Sequence, residues 1–411
     1  MEILALINAR VIDCTGADPL ENGAVIIENE RIKDVINGPI QHLPDSAKII
    51  DCQNQTLLPG LIDAHVHIGS IDPSFTDQQR KYFTSEFIIR SLKIVKETLE
   101  QGFTTVRDVG GADPGFRKAI AEGLAPGPRL FVCGRMLSQT GGHADGRLPT
   151  ENYQPVEHAA GTMSGIYDGV DAVRRASREQ LRQGVDHLKV MAGGGAMSPA
   201  DEIDTAQYSI DELRAIVFEA ENAGKYVAAH CYSDRSIKNC IQAGIRTIEH
   251  GNLMTESSAN AIREAGAYLV PTMITYEMIS KLGRSFGVPE NNLRKINQAR
   301  EKARESLEIA FKAGVSIGSG SDLLGPMQIY KGGELELQAQ VMGPMGALLA
   351  ATRTNAKIIR HEEHLGTIAP GKLADLILIQ GDPLKDIAIF KEYKKNLLLI
   401  VQNGKIYKNI L

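Results

Sequence analysis

At 411 residues, 43% of them hydrophobic, the chain can bury a large core, and its formal net charge of −5 gives no electrostatic case for nucleic acid or an anionic membrane. No run approaches the ~18 uninterrupted apolar residues of a membrane span, and the N-terminal MEILALINARVID lacks the basic front and apolar stretch of a signal peptide, so it reads as a strand. Cys14, Cys52, Cys133, Cys231 and Cys240 form no CxxC pair, which favours a reduced, cytoplasmic setting over a disulfide scaffold.

Residues 1–58 read as short strands separated by turns. LALINARVID, GAVIIENERIKDVI and AKIIDCQNQTLL are rich in alternating or β-branched apolar residues, with Gly, Asn and Asp between them. From 59 to 364, strand-like runs alternate with helical ones. GLIDAHVH is followed by FTTVRDVG, RLFVCGR, HLKVMA, YVAAHCY, TIEHG, AYLVPTM and VSIGSGSD, eight candidate strands in all. The helical SEFIIRSLKIVKETLEQG, DELRAIVFEAENAG and NLRKINQAREKARESLEIAFKAG finish at Gly102, Gly224 and Gly314, where a left-handed cap is least strained. Eight such units favour a closed (β/α)8 TIM barrel over a doubly wound sheet. The longest irregular stretch, about 136–169, follows the third strand, where a barrel carries its active-site loops. Residues 365–411 return to the texture of the start in ADLILIQGD and NLLLIVQNGKIYKN. The expected chain is therefore α/β, with a small composite β-sandwich domain of 1–58 and 365–411 and a barrel domain of 59–364.

Polar residues close five of the eight runs, and a barrel gathers those strand ends at one rim. His65 and His67 lie two apart and so share one face of a strand, able to hold one ion together or to serve as ordinary core histidines. The parity of Lys189 directs it inward. Burial lowers a lysine pKa, and a neutral amine can take up CO₂ as a carbamate whose two oxygens bridge two cations; the plainer alternative is a snorkelling lysine. His230 and His250 end the fifth and sixth runs and could hold a second ion, although each alone is as easily a core histidine. Asp322 ends GSGSD, as a ligand and proton acceptor or as a turn aspartate.

PGLIDAHVH, the strand lysine of HLKVMA, AHCY, IEHG, GSGSD and the terminal GTIAPGKLADLILI together resemble the amidohydrolase superfamily over essentially the whole chain. The resemblance implies a binuclear centre, usually zinc, with His65, His67, Lys189 (carboxylated by CO₂), His230, His250 and Asp322 as ligands. HLKVMAGGGAMSP, SQTGGHADGR and AHCYS look most like the imidazolonepropionase-related branch labelled Xaa-Pro dipeptidase or prolidase. Deaminases of the superfamily carry a glutamate three residues after the fifth-strand histidine. Here that position is Ser233, which favours amide hydrolysis over deamination.

The expected reaction is hydrolysis of a dipeptide or N-acyl amino acid by a hydroxide shared between two Zn²⁺ ions, with Asp322 moving the proton to the departing amine. His143, in TGGHADG, could hydrogen-bond the substrate carbonyl, and Tyr232 shares the parity of His230 and could touch the same group. GGGAMSP could cradle a carboxylate with its backbone N–H groups or be a plain loop. Arg107 could pair a substrate carboxylate or a buried acid. A cyclic-amide hydrolase or lactonase using the same ions is the alternative enzyme, and a non-catalytic barrel scaffold the alternative outside enzymes. The expected partner is a small molecule, with no nucleic acid and no membrane; self-association is left open.

Overall fold

The apolar alternation at the start of the chain forms a strand, Ile3–Val11, in the computed structural model, which describes residues 2–40, 42–74, 78–152 and 163–411. This strand pairs antiparallel with Leu20–Glu28 and parallel with Lys48–Asp51 and Thr56–Pro59. Thr56–Pro59 in turn pairs antiparallel with Leu376–Ile379, Leu57 facing Leu378, so the two ends of the chain share one sheet. Leu397–Gln402 and Lys405–Asn409 extend it on one side and Arg31–Asn37 on the other, giving eight strands. Leu4, Leu6, Val25 and Leu57 from the start of the chain pack with Leu376, Leu378, Leu399 and Val401 from its end in one apolar cluster. Burying each such side chain contributes about 1.5–3 kcal/mol. The compact unit built on this sheet comprises residues through Asp63, Glu97–Thr105 and Lys331–Leu411.

The second unit, Ala64–Lys96 with Val106–Tyr330, carries the α/β alternation. Seven strands pair in parallel in the order Ser164–Ile166, Met136–Ser138, Leu188–Met191, Val227–Ser233, Thr247–Leu253, Tyr268–Val270 and Ser316–Ile317. Leu61–Val66, Phe103–Asp108 and Arg129–Val132 form a three-stranded sheet in that order. All eight runs read as strands are thus strands. Within the second unit, Ala64 N–H donates to the Ser319 carbonyl at 2.9 Å, and Asp186 N–H to that of Val132 at 2.8 Å.

The stretch from 136 to 169 was expected to be irregular. It instead contributes two three-residue strands, Met136–Ser138 and Ser164–Ile166, too short for their alternation to be read from sequence; residues 153–162 of it lie outside the described residues. The helix Ile210–Asn222 begins at a Ser209/Glu212 capping box and buries Leu213, Ile216, Val217 and Ala220, the spacing of one helical face. Glu290–Ala313 ends at Gly314 with φ 77°, a conformation open to glycine with least strain. No described helix is long and apolar enough to cross a membrane.

Candidate metal centre and substrate cleft

His65, His67, His143, Lys189, His230, Tyr232, His250 and Asp322 all line one cleft. The four histidines at the strand ends form a chain of rings. Centroids lie 5.3 Å apart for His67 and His65, 4.9 Å for His65 and His250, and 4.5 Å for His250 and His230. Asp322 reaches across them, with Oδ1 3.2 Å from His67 Nε2 and 3.5 Å from His65 Nε2, and Oδ2 3.9 Å from His250 Nδ1. One ligand atom each from His65, His250 and Asp322 fall within 4.8 Å of one another.

Each of these imidazoles has one nitrogen held by the protein. His65 Nδ1 meets Glu249 Oε2 at 2.8 Å, His67 Nδ1 the Gly110 carbonyl at 2.9 Å, His230 Nε2 the Gly194 carbonyl at 3.1 Å and His250 Nδ1 the Thr272 hydroxyl at 2.7 Å. The acceptors beside His65, His67 and His230 take an N–H from the ring, so that in the neutral form the other nitrogen is the lone pair a metal-binding histidine requires, while the Thr272 hydroxyl can meet either state of His250. Burial holds His65, His230 and His250 well below the usual imidazole pKa, in the neutral form that ligates. Burial also works against protonation of His67, but Asp322, with Asp108 and the Gly110 carbonyl, raises that pKa overall. Lys189 is 1% exposed, and burial lowers its pKa, raising its neutral fraction.

Strand register explains most of this convergence. Lys189 pairs with Ala228, Met191 with His230, and His230 with Glu249, so their side chains share the inward face. His250 follows Glu249 and would point away by simple alternation. Its backbone φ of 74° breaks the alternation and turns the ring into the cleft. Asp322, with φ 50° and its N–H on the His65 carbonyl at 2.8 Å, is likewise fixed by a turn.

Several residues with roles here were not singled out from sequence. Glu249 stood inside the quoted IEHG, and its pairing opposite His230 was the missing signal. Its second oxygen takes Arg107 Nη2 at 2.7 Å, while Arg107 Nη1 meets Thr247 Oγ1 at 3.0 Å and Nε the Ala64 carbonyl at 2.6 Å. Arg107 is fully buried. Of its two sequence readings, the structure displays the buried ion pair, with Glu249 as the acid. Asp108 instead accepts N–H bonds from Ile68, Gly110 and Ala112 at 2.7, 3.0 and 3.1 Å; burial still pushes its pKa up to about 6.

Tyr276 donates to the Tyr232 hydroxyl at 3.0 Å and is itself bonded to Thr272, whose oxygen meets His250. That chain leaves the Tyr232 O–H to be donated into the cleft. The GGGAMSP stretch does not offer its first N–H groups to a ligand: Gly193, Gly194 and Gly195 donate to His230 O, Thr205 O and Asp201 Oδ2 at 3.1, 3.0 and 3.0 Å. Ser233 caps the helix Asp234–Ala243, accepting from Ser236 N–H, and supplies no acid.

Residues 56–407 match the Amidohydrolase family. The ochratoxinase of Aspergillus niger is 32% identical over 429 residues, covering 98% of this chain and 87% of that protein. A solved prolidase complexed with N-methylphosphonate-L-proline is 41% identical with a TM-score of 0.96, covering 99% of this chain and all (100%) of that one. A Xaa-Pro dipeptidase with methionine bound in its active site is 29% identical with a TM-score of 0.90, covering 99% and 100%.

Proposed function

From the premise that the chain belongs to the amidohydrolase family and is a hydrolase of amide bonds, we propose that it cleaves dipeptides or N-acyl amino acids with the help of two divalent cations, Zn²⁺. The observation that carries this reading is the set of four histidines, each with one nitrogen tied to the protein, around Lys189 and Asp322 in a single cleft. Similarity to a prolidase that binds a proline phosphonate and to a Xaa-Pro dipeptidase supports the substrate class.

In this reading His65 and His67 hold one cation and His230 and His250 the other. The Lys189 amine, kept partly neutral by burial, would take up CO₂ as a carbamate and so add carboxylate-like oxygens to the residues that would hold the cations. When bound, such cations polarise a carbonyl and bring water within reach of deprotonation near neutral pH. Asp322 accepts the proton of the attacking water and passes it to the departing nitrogen. Tyr232 donates its hydroxyl hydrogen to the carbonyl oxygen as negative charge develops there. His143 binds the substrate beside them. The finer architecture proposed with it is a (β/α)8 barrel of 59–364 and a β-sandwich of 1–58 and 365–411. The hydrogen bonds of Ala64 to Ser319 and of Asp186 to Val132 support closure of the barrel. The apolar cluster shared by the chain ends supports the composite domain.

The test is a panel of Xaa-Pro and Xaa-Arg dipeptides, N-acyl amino acids and lactones, run on protein of measured metal content. Turnover of the first three classes with about two ions per chain is expected. Turnover of lactones alone would reassign the substrate.

A further inference from the structure

The segment that follows the Lys189 strand is a wall shared by two hollows. Ala196 lines the cleft, Pro199 lines a groove beside it, and Met197 lines both. The helix Glu290–Ala313 joins them a second time. Its Asn292 lines the groove and its Ile296 the cleft, four residues apart on one helical face and so about 6 Å along the axis. The shared wall is held firmly. The fully buried Lys295 donates to the carbonyls of Gly195, Ser198 and Asp201 at 3.0, 2.7 and 2.9 Å, and Asn292 Nδ2 to that of Ala196 at 3.0 Å. The Ser198 hydroxyl donates to Asp201 Oδ1 and lies 2.7 Å from His143 Nδ1.

The groove differs from the cleft in chemistry. Pro73, Leu148, Met197, Phe286, Val288 and Pro289 give it an apolar lining. Its polar groups are paired within the protein: Arg80 meets Glu151 at 3.7 Å, Glu151 Oε2 accepts the Leu148 N–H at 2.8 Å, and the Asn292 amide is committed to Ala196. A charged or polar ligand would compete with these pairs, whereas a hydrocarbon asks nothing of them. Leu148 is 54% and Phe286 39% exposed, large apolar side chains standing in water beside the cleft. Phe286 is held there by a turn at Gly287, φ 78°, closed by Val288 N–H on the Gly283 carbonyl at 3.0 Å.

We propose that this groove binds the hydrocarbon tail of an N-acyl amino acid whose amide bond lies in the cleft, so that long unbranched acyl chains are better substrates than acetyl. This rests on the amide-substrate reading above and adds to it the class of acyl group. The tail leaves the carbonyl carbon, passes Met197 and covers Leu148 and Phe286. Methionine suits that passage, because an unbranched thioether adapts its shape to what lies against it.

The experiment measures kcat/KM for acetyl-, butanoyl-, octanoyl- and dodecanoyl-L-proline, below the concentration at which they form micelles. It uses the wild type, Leu148→Asp and Phe286→Asp, each with metal content and oligomeric size measured. In the wild type the octanoyl compound should exceed the acetyl compound by about tenfold or more, since a fully buried methylene contributes about fourfold. That ratio should fall about fivefold or more in each variant, where a carboxylate replaces apolar surface beside the tail. A flat or falling series in the wild type, or an unchanged ratio in both variants, would overturn the proposal. Variants that change the oligomer while the ratio holds would overturn it too, making this face a contact between copies of the chain. Cleavage of Xaa-Pro dipeptides but of none of the four compounds would also overturn it. Should the wild type cleave neither kind, the amide-substrate reading fails. Calorimetry of the octanoyl compound then still decides the groove, by binding tighter than the acetyl one and weakened in Leu148→Asp, or by binding that ignores both chain and variant.

Discussion

His65 Nδ1 lies 2.8 Å from Glu249 Oε2, and the other oxygen of that carboxylate lies 2.7 Å from Arg107 Nη2. All three side chains are buried. The arginine fixes the carboxylate and the carboxylate fixes the imidazole, so an ion pair beneath the cleft orients a residue that lines it. Glu249→Gln is expected to weaken metal binding about 10–100-fold in a chelator competition. It should also lower folding stability by about 3–5 kcal/mol, because Arg107 is left buried without its counter-charge. Adding Arg107→Met should recover part of the stability and none of the metal affinity. Unchanged affinity in Glu249→Gln would remove the carboxylate from the metal site.

Lys189 is buried among the histidines, and shortening it removes both proposed carbamate oxygens. Lys189→Ala should reduce bound metal to about one ion per chain and abolish nearly all turnover. Acetate or propionate should restore a measurable fraction by supplying carboxylate oxygens. Wild-type metal content and activity in this variant would end the bridging role.

Asp322 lies within 3.5 Å of both His65 and His67 nitrogens, yet its proposed chemical task is proton transfer. Asp322→Asn keeps an oxygen for the cation and loses the base. The variant should retain metal while kcat falls about 10²–10⁴-fold. Near-normal kcat would refute the assignment.

The Tyr232 hydroxyl accepts from Tyr276 and has its own hydrogen to give. Tyr232→Phe should lower kcat about 10²–10³-fold, the usual loss for one oxyanion donor. It also leaves the Tyr276 hydroxyl without its acceptor, at a cost of about 1–3 kcal/mol in a denaturation curve. A change in KM alone would place Tyr232 in binding and not in charge stabilisation.

His143, whose pKa is lowered from 6.5 to about 4, links stability to pH. Between those values the unfolded chain binds more protons than the folded one, so stability is present above pH 6.5 and is lost as pH falls towards 4. In chelator-treated protein, His143→Gln should flatten this part of the stability profile by an amount on the order of 1–3 kcal/mol. Parallel profiles for the two proteins would show that His143 is not desolvated in the folded state.

The features legible in sequence were those written in near neighbours. Short apolar runs between helical ones marked eight of the strands, and glycine marked helix ends such as Gly314, because both follow from the geometry of a few consecutive residues. Strand ends also pointed to His65, His67, Lys189, His230, His250 and Asp322, which all line the cleft, since parallel strands place those ends on one side. The two short strands Met136–Ser138 and Ser164–Ile166 carried too few residues for a period to show.

By itself, then, the sequence determined which segments are strands and helices, and which polar side chains terminate them. Tertiary structure decided the rest. Strand register set Glu249 opposite His230, a left-handed backbone at His250 turned its ring inward against the alternation, and packing of Lys295 beneath Gly195–Asp201 committed the polar atoms around His143. Local periodicity is a property of adjacent residues, whereas these arrangements depend on which distant groups share one dry interior, where every donor and acceptor must find its partner.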